Sequence, residues 1–238
     1  EDAGLQTINL TGIGDGDADV TQAITSVTAT SNNTSLIPTP TVTYTSDQST
    51  GTLTYTPVSN ANGTAVITVT VVDGGGTDDS GVNTTTTTFT VTVTAVNDPV
   101  TLTSAIADYT VLEDAAATTV ADLDNVFGDI DILNGAAAAL QTLTYSVVSN
   151  TNSGLATPSI DGSGVLTVSY TSNDNGSATI TVRADDSKGS TLDESFTVTV
   201  TAVNDAPVIG AISNPAAILE DAGLQTINLT GIGDGDAD

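Results

Sequence analysis

The residues of this chain that could do chemistry are almost all side-chain oxygen donors, and they return in a fixed order. Glu-Asp pairs stand at Glu1-Asp2, Glu113-Asp114 and Glu220-Asp221, and three of the four glutamates of the chain are in them. An Asp-x-Asp follows each pair, at Asp15 and Asp17, Asp129 and Asp131, and Asp234 and Asp236. Further acids close long alternating runs, at Asp73 and at Asp185-Asp186, and Asn-Asp ends each unit at Asn97-Asp98 and Asn204-Asp205. Carboxylates with amide and backbone carbonyls are the ligands calcium takes, about six to eight of them at roughly 2.3–2.6 Å. One loop rarely supplies so many, so a site of this kind needs several loops brought together. A lone Asp in such a loop is more often a turn residue. Recurrence of the whole order, in a chain with hardly any basic partners, favours a cation site.

What is missing narrows the chemistry further. Among 238 residues there are no His, Cys, Met or Trp, and 29 Asp or Glu face 2 Lys or Arg. No imidazole or thiol can act as general base, nucleophile, zinc ligand or disulfide partner, so enzymatic activity is not expected. A net charge of -27 repels nucleic acid and anionic lipid, whose recognition rests on Lys and Arg. No apolar run reaches the length of a membrane span and no secretory leader is evident.

Self-similarity sets the organisation. Residues 1–19, EDAGLQTINLTGIGDGDAD, return unchanged as residues 220–238, which is expected of a window cut from a longer array whose ends are not natural ones. A shorter, diverged repeat lies inside that period. TVTVTAVNDPV at 90–100 returns as TVTVTAVNDAPV at 197–208, and LTYTPVSNANGTAVITVTVVDGG from Leu53 is echoed by LTVSYTSNDNGSATITVRADDSKG from Leu166. Three segments follow: a first domain over 1–96, whose opening strand is not accounted for, a second over 97–203, and a linker with the truncated start of a third over 204–238.

These motifs must be held by strands. VITVTVVD, ATITVRAD and FTVTVTAV, the last of which occurs twice, alternate apolar and hydroxyl residues, so one face enters a core while Thr covers the other. The 46 Thr, with many Val and Ile, are strand formers and argue against a disordered acidic chain. Asn62-Gly63, Asn175-Gly176 and Asp161-Gly162 punctuate the strands as turns. About seven short strands per unit predict an all-β fold of tandem immunoglobulin-like antiparallel β-sandwiches. The Ala-rich run 136–140 is short enough to be one helical turn without changing that class.

Leu-Glu-Asp at a domain start, Asp-x-Asp after it, an Asp after the sixth strand and Asn-Asp-(Ala)-Pro at the exit together resemble cadherin domains and their bacterial cadherin-like relatives, which stand in tandem in giant surface adhesins. The resemblance spans essentially the whole chain. It implies a Ca2+ site where successive domains meet: Glu1 facing Asn97 and Asp98, with Asp129, Asp131 and either Asp185 or Asp186 from the second domain. Glu113, Asn204, Asp205, Asp234 and Asp236 then form part of a second junction, and Asp15, Asp17 and Asp73 the receiving half of another. Two departures, the lack of a mid-domain Asp-Arg-Glu and of an Asp before the exit Asn, imply one or two ions per junction.

Two functional readings from different classes stand on this basis. In one, the chain is a structural extender of a long bacterial surface or extracellular fibre protein, stiffened by calcium and by neighbouring repeats of the same chain. In the other, the domains are binders themselves, of glycans or of further copies. The 5 Tyr and 3 Phe supply no aromatic platform for sugars. Homophilic self-association has a route, because residues 206–238 carry the start of a domain whose remainder begins at Glu1. An acid pair working as in glycosidases is a remote third.

Overall fold

The computed structural model describes residues 1–17, 21–78, 81–133 and 141–235. The Ala-rich run at 136–140 therefore lies outside the described residues. The chain divides into two compact units, one of Glu1–Asp98 with Asp129–Thr142, the other of Pro99–Gly128 with Leu143–Asp238.

In the first unit β1 (Gln6–Thr11), β2 (Ile24–Ser31), β3 (Thr41–Tyr44), β4 (Thr50–Tyr55), β5 (Gly63–Asp73) and β6 (Thr84–Val93) form two antiparallel sheets, ordered β1-β4-β3 and β2-β5-β6. The alternation seen in the sequence sets their faces. Ala65, Ile67 and Val69 of β5 are buried while Val66 and Thr68 between them are not. With Leu53 of β4, Ala29 of β2, Val91 and Val93 of β6, and Leu36 and Ile37 of the β2–β3 connection, they make one core between the sheets.

The second unit repeats this plan with more strands: β7 (Thr101–Leu102), β8 (Tyr109–Leu112), β9 (Thr118–Asp122), β10 (Phe127–Gly128), β11 (Thr144–Asn150), β12 (Ala156–Ile160), β13 (Val165–Tyr170), β14 (Gly176–Asp185) and β15 (Thr191–Thr201). Its sheets run β11-β14-β15-β8 and β12-β13-β9, with β7 paired to β10. Between them lie Leu155, Leu166, Val168, Ile180, Val182, Phe196 and Val198, none more than 1% exposed. The molecule is all-β, two sandwiches in tandem. One pairing departs from the antiparallel expectation, for β8 runs parallel to β15. The stretch before β8 is tied to the same strand, Ile106 N donating to Glu194 Oε1 at 3.1 Å and Thr197 N to Asp108 Oδ1 at 2.6 Å. Two single helical turns, Leu123–Val126 and Ile130–Leu133, complete the described elements.

The repeats share a backbone device at the Glu-Asp pairs. Asp2 and Asp114 both adopt φ 57°, and Asn60 and Asn173 adopt 56° and 52°, a left-handed conformation that Asn and Asp tolerate best among residues with a side chain. Each Asp accepts a hydrogen bond from its Asn, Asn60 N to Asp2 Oδ1 at 3.0 Å and Asn173 N to Asp114 Oδ1 at 3.1 Å. The chain is thereby pinned where it turns from Glu toward the next strand.

Candidate metal centre

Within the first unit three carboxylates converge. Ligand oxygens of Glu1, Asp98 and Asp131 lie within 4.8 Å of one another, and Asp131 is buried. Each is held by its own backbone surroundings. Glu1 Oε1 accepts from Val96 N at 3.0 Å, and the Glu1 amino group donates to Thr94 O at 2.6 Å, which fixes Glu1 beside the end of β6. Asp98 N donates to Asp131 Oδ2 at 2.8 Å. Asp131 N donates in turn to Asp129 Oδ1 at 2.9 Å, and Gln141 Nε2 donates to Asp129 Oδ2, also at 2.9 Å. Asp129 thus orients the residue two places on, with both its oxygens engaged.

The cluster carries a physical deficit. Glu1 Oε2 and Asp98 Oδ2 are buried and accept no hydrogen bond. An unsatisfied buried oxygen of a charged group is costly. Partial burial, and then the carboxylates of Asp131, Asp2, Glu1 and Asp129, push the Asp98 carboxyl above its ordinary value. No arginine relieves this, because Arg183 is committed to Asp193 through paired contacts of 2.6 and 2.8 Å. Two orphaned carboxylate oxygens in an all-oxygen donor set fit a hard divalent cation, and calcium's tolerance of irregular geometry suits residues drawn from three separate segments.

The remaining predicted ligands fall into three groups. Asn97 is exposed and donates through Nδ2 to Asp98 O at 3.1 Å. Asp185 and Asp186 stand in the second unit. Asp186 is fully buried, its Oδ1 accepting from the backbone N–H groups of Lys188, Gly189 and Ser190 at 2.7–3.0 Å, while Asp185 is half-buried and accepts from Ser187 N. Also in that unit, Glu113 and Asn204 repeat the first cluster's contacts: Val203 N donates to Glu113 Oε1, and Asn204 Nδ2 to Asp205 O at 2.9 Å. Asp234 is exposed, and Asp236 lies outside the described residues. In the first unit Asp15 Oδ2 and Asp17 Oδ2 both accept from Gln22, through its backbone N–H and its side chain, and Asp73 Oδ1 accepts from Gly75 N. Those three are not in the convergent cluster.

Sequence reasoning passed over Gln22, Gln141 and Asp2. Both glutamines follow an Asp-x-Asp and bond to it, a pairing visible only once the loop geometry is known. Asp2 was legible as part of the recurring Glu-Asp pair, but its charge acts on Asp98 without its being a ligand.

No known protein-family profile matches the chain, and no curated protein matches it. Solved structures do. A protocadherin gamma B7 fragment of extracellular cadherin domains 1–4 is 21% identical with a TM-score of 0.48, over 96% of this chain and 54% of that one. Extracellular domains 1–5 of protocadherin gamma B2 are 20% identical with a TM-score of 0.47, over 96% and 42%. The human desmocollin-1 ectodomain is 16% identical with a TM-score of 0.41, over 71% and 33%. The chain spans about half the length of these structures or less.

Proposed function

We propose that this chain is a calcium-stiffened extracellular structural module, a piece of the extender region of a long bacterial adhesin or fibre, in which Glu1, Asp98 and Asp131 hold a calcium ion. The observation that carries the reading is the pair of buried, unpartnered oxygens on Glu1 and Asp98, within 4.8 Å of an Asp131 oxygen. Bound calcium supplies the positive charge that three crowded carboxylates need. The residues do the rest. Asp129 and Gln141 fix Asp131, Val96 fixes Glu1, and Asn97 lies next to Asp98 as a further oxygen donor.

The chain's own continuity says what such a site restrains. Asp98 is the last residue of the first unit and Pro99 the first of the second, and the segment 129–142 belongs to the first unit although the residues on either side of it belong to the second. Residues that clasp one ion lose freedom in the backbone that carries them. Residues 97–203 and 204–238 form the second repeat and the opening of a third in this proposal. Glu113, Asn204 and Asp205 then prepare the next site.

Thermal melting in chelator and in millimolar calcium tests the reading. For an affinity in the range of extracellular modules, about 10⁻⁴ to 10⁻³ M, a few millimolar calcium stabilises the first unit by about 1–2 kcal/mol. Asp131→Asn abolishes that gain while its chelator melt stays near the parent's. A melting temperature indifferent to calcium sinks the proposal.

A further inference from the structure

In the β11-β14-β15-β8 sheet of the second unit, the strand earliest in the chain, β8, lies beside the last, β15, and both point the same way. Among the described residues this is the only parallel pairing, every other pair of strands being antiparallel. The ladder runs from Tyr109 beside Val198 to Leu112 beside Thr201, and contacts continue past it on both sides. Near the start of β15, Val100 N donates to Ser190 Oγ at 3.0 Å and Ile106 N to Glu194 Oε1 at 3.1 Å. Midway, Thr197 N donates to Asp108 Oδ1 at 2.6 Å. At the far end Glu113 N donates to Thr201 O at 3.0 Å, and Thr201 Oγ1 to Val111 O at 3.1 Å. Residues 100–113 thus follow residues 190–201 in the same direction along their length.

Side chains keep β8 from sliding along β15. Tyr109 stacks on Phe196 with ring centroids 6.1 Å apart, and its hydroxyl lies 3.0 Å from that of Tyr170 in β13, a strand of the other sheet. Val111 packs against the core, while Thr110 and Leu112 are exposed. Because side chains alternate with a period of two, a slip of one residue would put Thr110 in the place of Tyr109 and break the tyrosine pair.

Strand direction decides how such a pair meets a pull. The two free ends of an antiparallel hairpin lie together, so pulling on them opens its hydrogen bonds one after another. In a parallel pair the end that enters and the end that leaves lie at opposite ends of the ladder, and tension strains every bond between the strands at once. The second unit is entered at Pro99, beside the start of β15, and left beyond Thr201, at its end. We infer that β8 and β15 form a mechanical latch, sheared by tension along the chain and released only when residues 100–113 come away together. The inference takes from the proposed function only that the chain carries tension, and the latch uses none of Glu1, Asp98 and Asp131. Its effect is kinetic. Forced unfolding follows the rate of leaving the native state, not the equilibrium stability, so the latch resists a pull without a matching gain in melting temperature. The antiparallel pairs of the same unit carry tension only after it opens.

Single-molecule force spectroscopy of the full chain, in chelator, tests the latch. The chain has no cysteine, so cysteines introduced in pairs at exposed positions set the points of attachment. Pro99→Cys with Ala206→Cys pulls the latch in shear; Ala116→Cys with Ala206→Cys pulls both strands from the Leu112–Thr201 end and peels them apart. The unfolding force is severalfold higher in shear than in peeling. Asp108→Ala with Glu194→Ala removes the acceptors of Thr197 N and Ile106 N. That double variant unfolds at lower force in shear and at the parent's force in peeling, because peeling begins at Leu112, before either bond is strained. General destabilisation would lower both. Equal forces in the two geometries overturn the inference, as does a double variant whose loss is as large in peeling as in shear or is absent from shear. The comparison of geometries needs neither acid removed, so it decides the matter even where the double variant does not fold. Because the pulls are made in chelator, failure here leaves the calcium proposal standing, and a melting temperature indifferent to calcium leaves the latch standing.

Discussion

Asp98 shows why a carboxylate can be a liability in the absence of an ion. Its carboxyl is held above the ordinary 3.8 by partial burial and then by Asp131, Asp2, Glu1 and Asp129. A raised acid contributes stability that is complete below 3.8 and is lost as pH rises through its elevated value. In chelator, acidifying from neutrality through that window therefore raises the first unit's melting temperature. Asp193 has the opposite sign: Arg183 lowers its carboxyl, so its contribution is present above 3.8 and fades as pH falls, but that pair belongs to the second unit and is exposed. Asp98→Asn separates the two. It is expected to melt a few degrees above the parent in chelator at pH 7, to lose the first unit's acid-dependent gain, and to melt below the parent in calcium. A variant less stable than the parent in both conditions would show that Asp98 supports the fold, with no charge conflict to relieve. The identities of Glu1, Asp98 and Asp131 were legible from their recurrence. Gln141 was not, because the two Asp-x-Asp pairs meet their glutamines at different spacings and through different acids, Gln22 on Asp17 and Gln141 on Asp129, and only the folded loops show either contact.

At the scale of strands, the alternation of Val and Thr was sufficient to place β5, β6, β14 and β15 and the face each buries, since a period of two leaves no choice of side. β8 was not legible. Four residues, YTVL, form no hairpin and pair in parallel with a strand about ninety positions away; nothing local in a sequence marks such a contact. Its effect is measurable through the duplicated run FTVTVTAV. Phe196 lies under β8 and against Tyr109, so Phe196→Ala leaves a cavity costing about 3–5 kcal/mol. Phe89 has the same neighbours in sequence but is only half-buried, and Phe89→Ala costs about half as much, because less of the ring leaves water on folding. Denaturant melts of the two variants give the comparison. Equal losses would mean that the β8 cover adds nothing to the packing of the strand beneath it.

For the molecule as a whole the question is whether calcium acts at a site or merely as counter-ion to 27 excess negative charges. Mutual repulsion of that many acids destabilises any compact state, and simple salt relieves it by screening over a distance of about 10 Å at 0.1 M. Composition made the excess plain but not its distribution. Several acids are in turns where backbone N–H groups already serve them, as at Asp73, Asp161 and Asp186, and among the described residues the deficit lies where Glu1 and Asp98 each bury an oxygen that accepts nothing. A counter-ion effect follows ionic strength and ignores the identity of the cation. A site effect saturates, prefers calcium to magnesium because the smaller ion demands near-octahedral geometry and gives up its water reluctantly, and disappears with Asp131→Asn. Melting the parent chain in about 5 mM calcium, in the same concentration of magnesium and in sodium chloride of matched ionic strength distinguishes them. The expected order is calcium well above magnesium, with sodium nearly without effect. Equal gains from all three salts would return the acidic residues to the role of a diffuse surface charge.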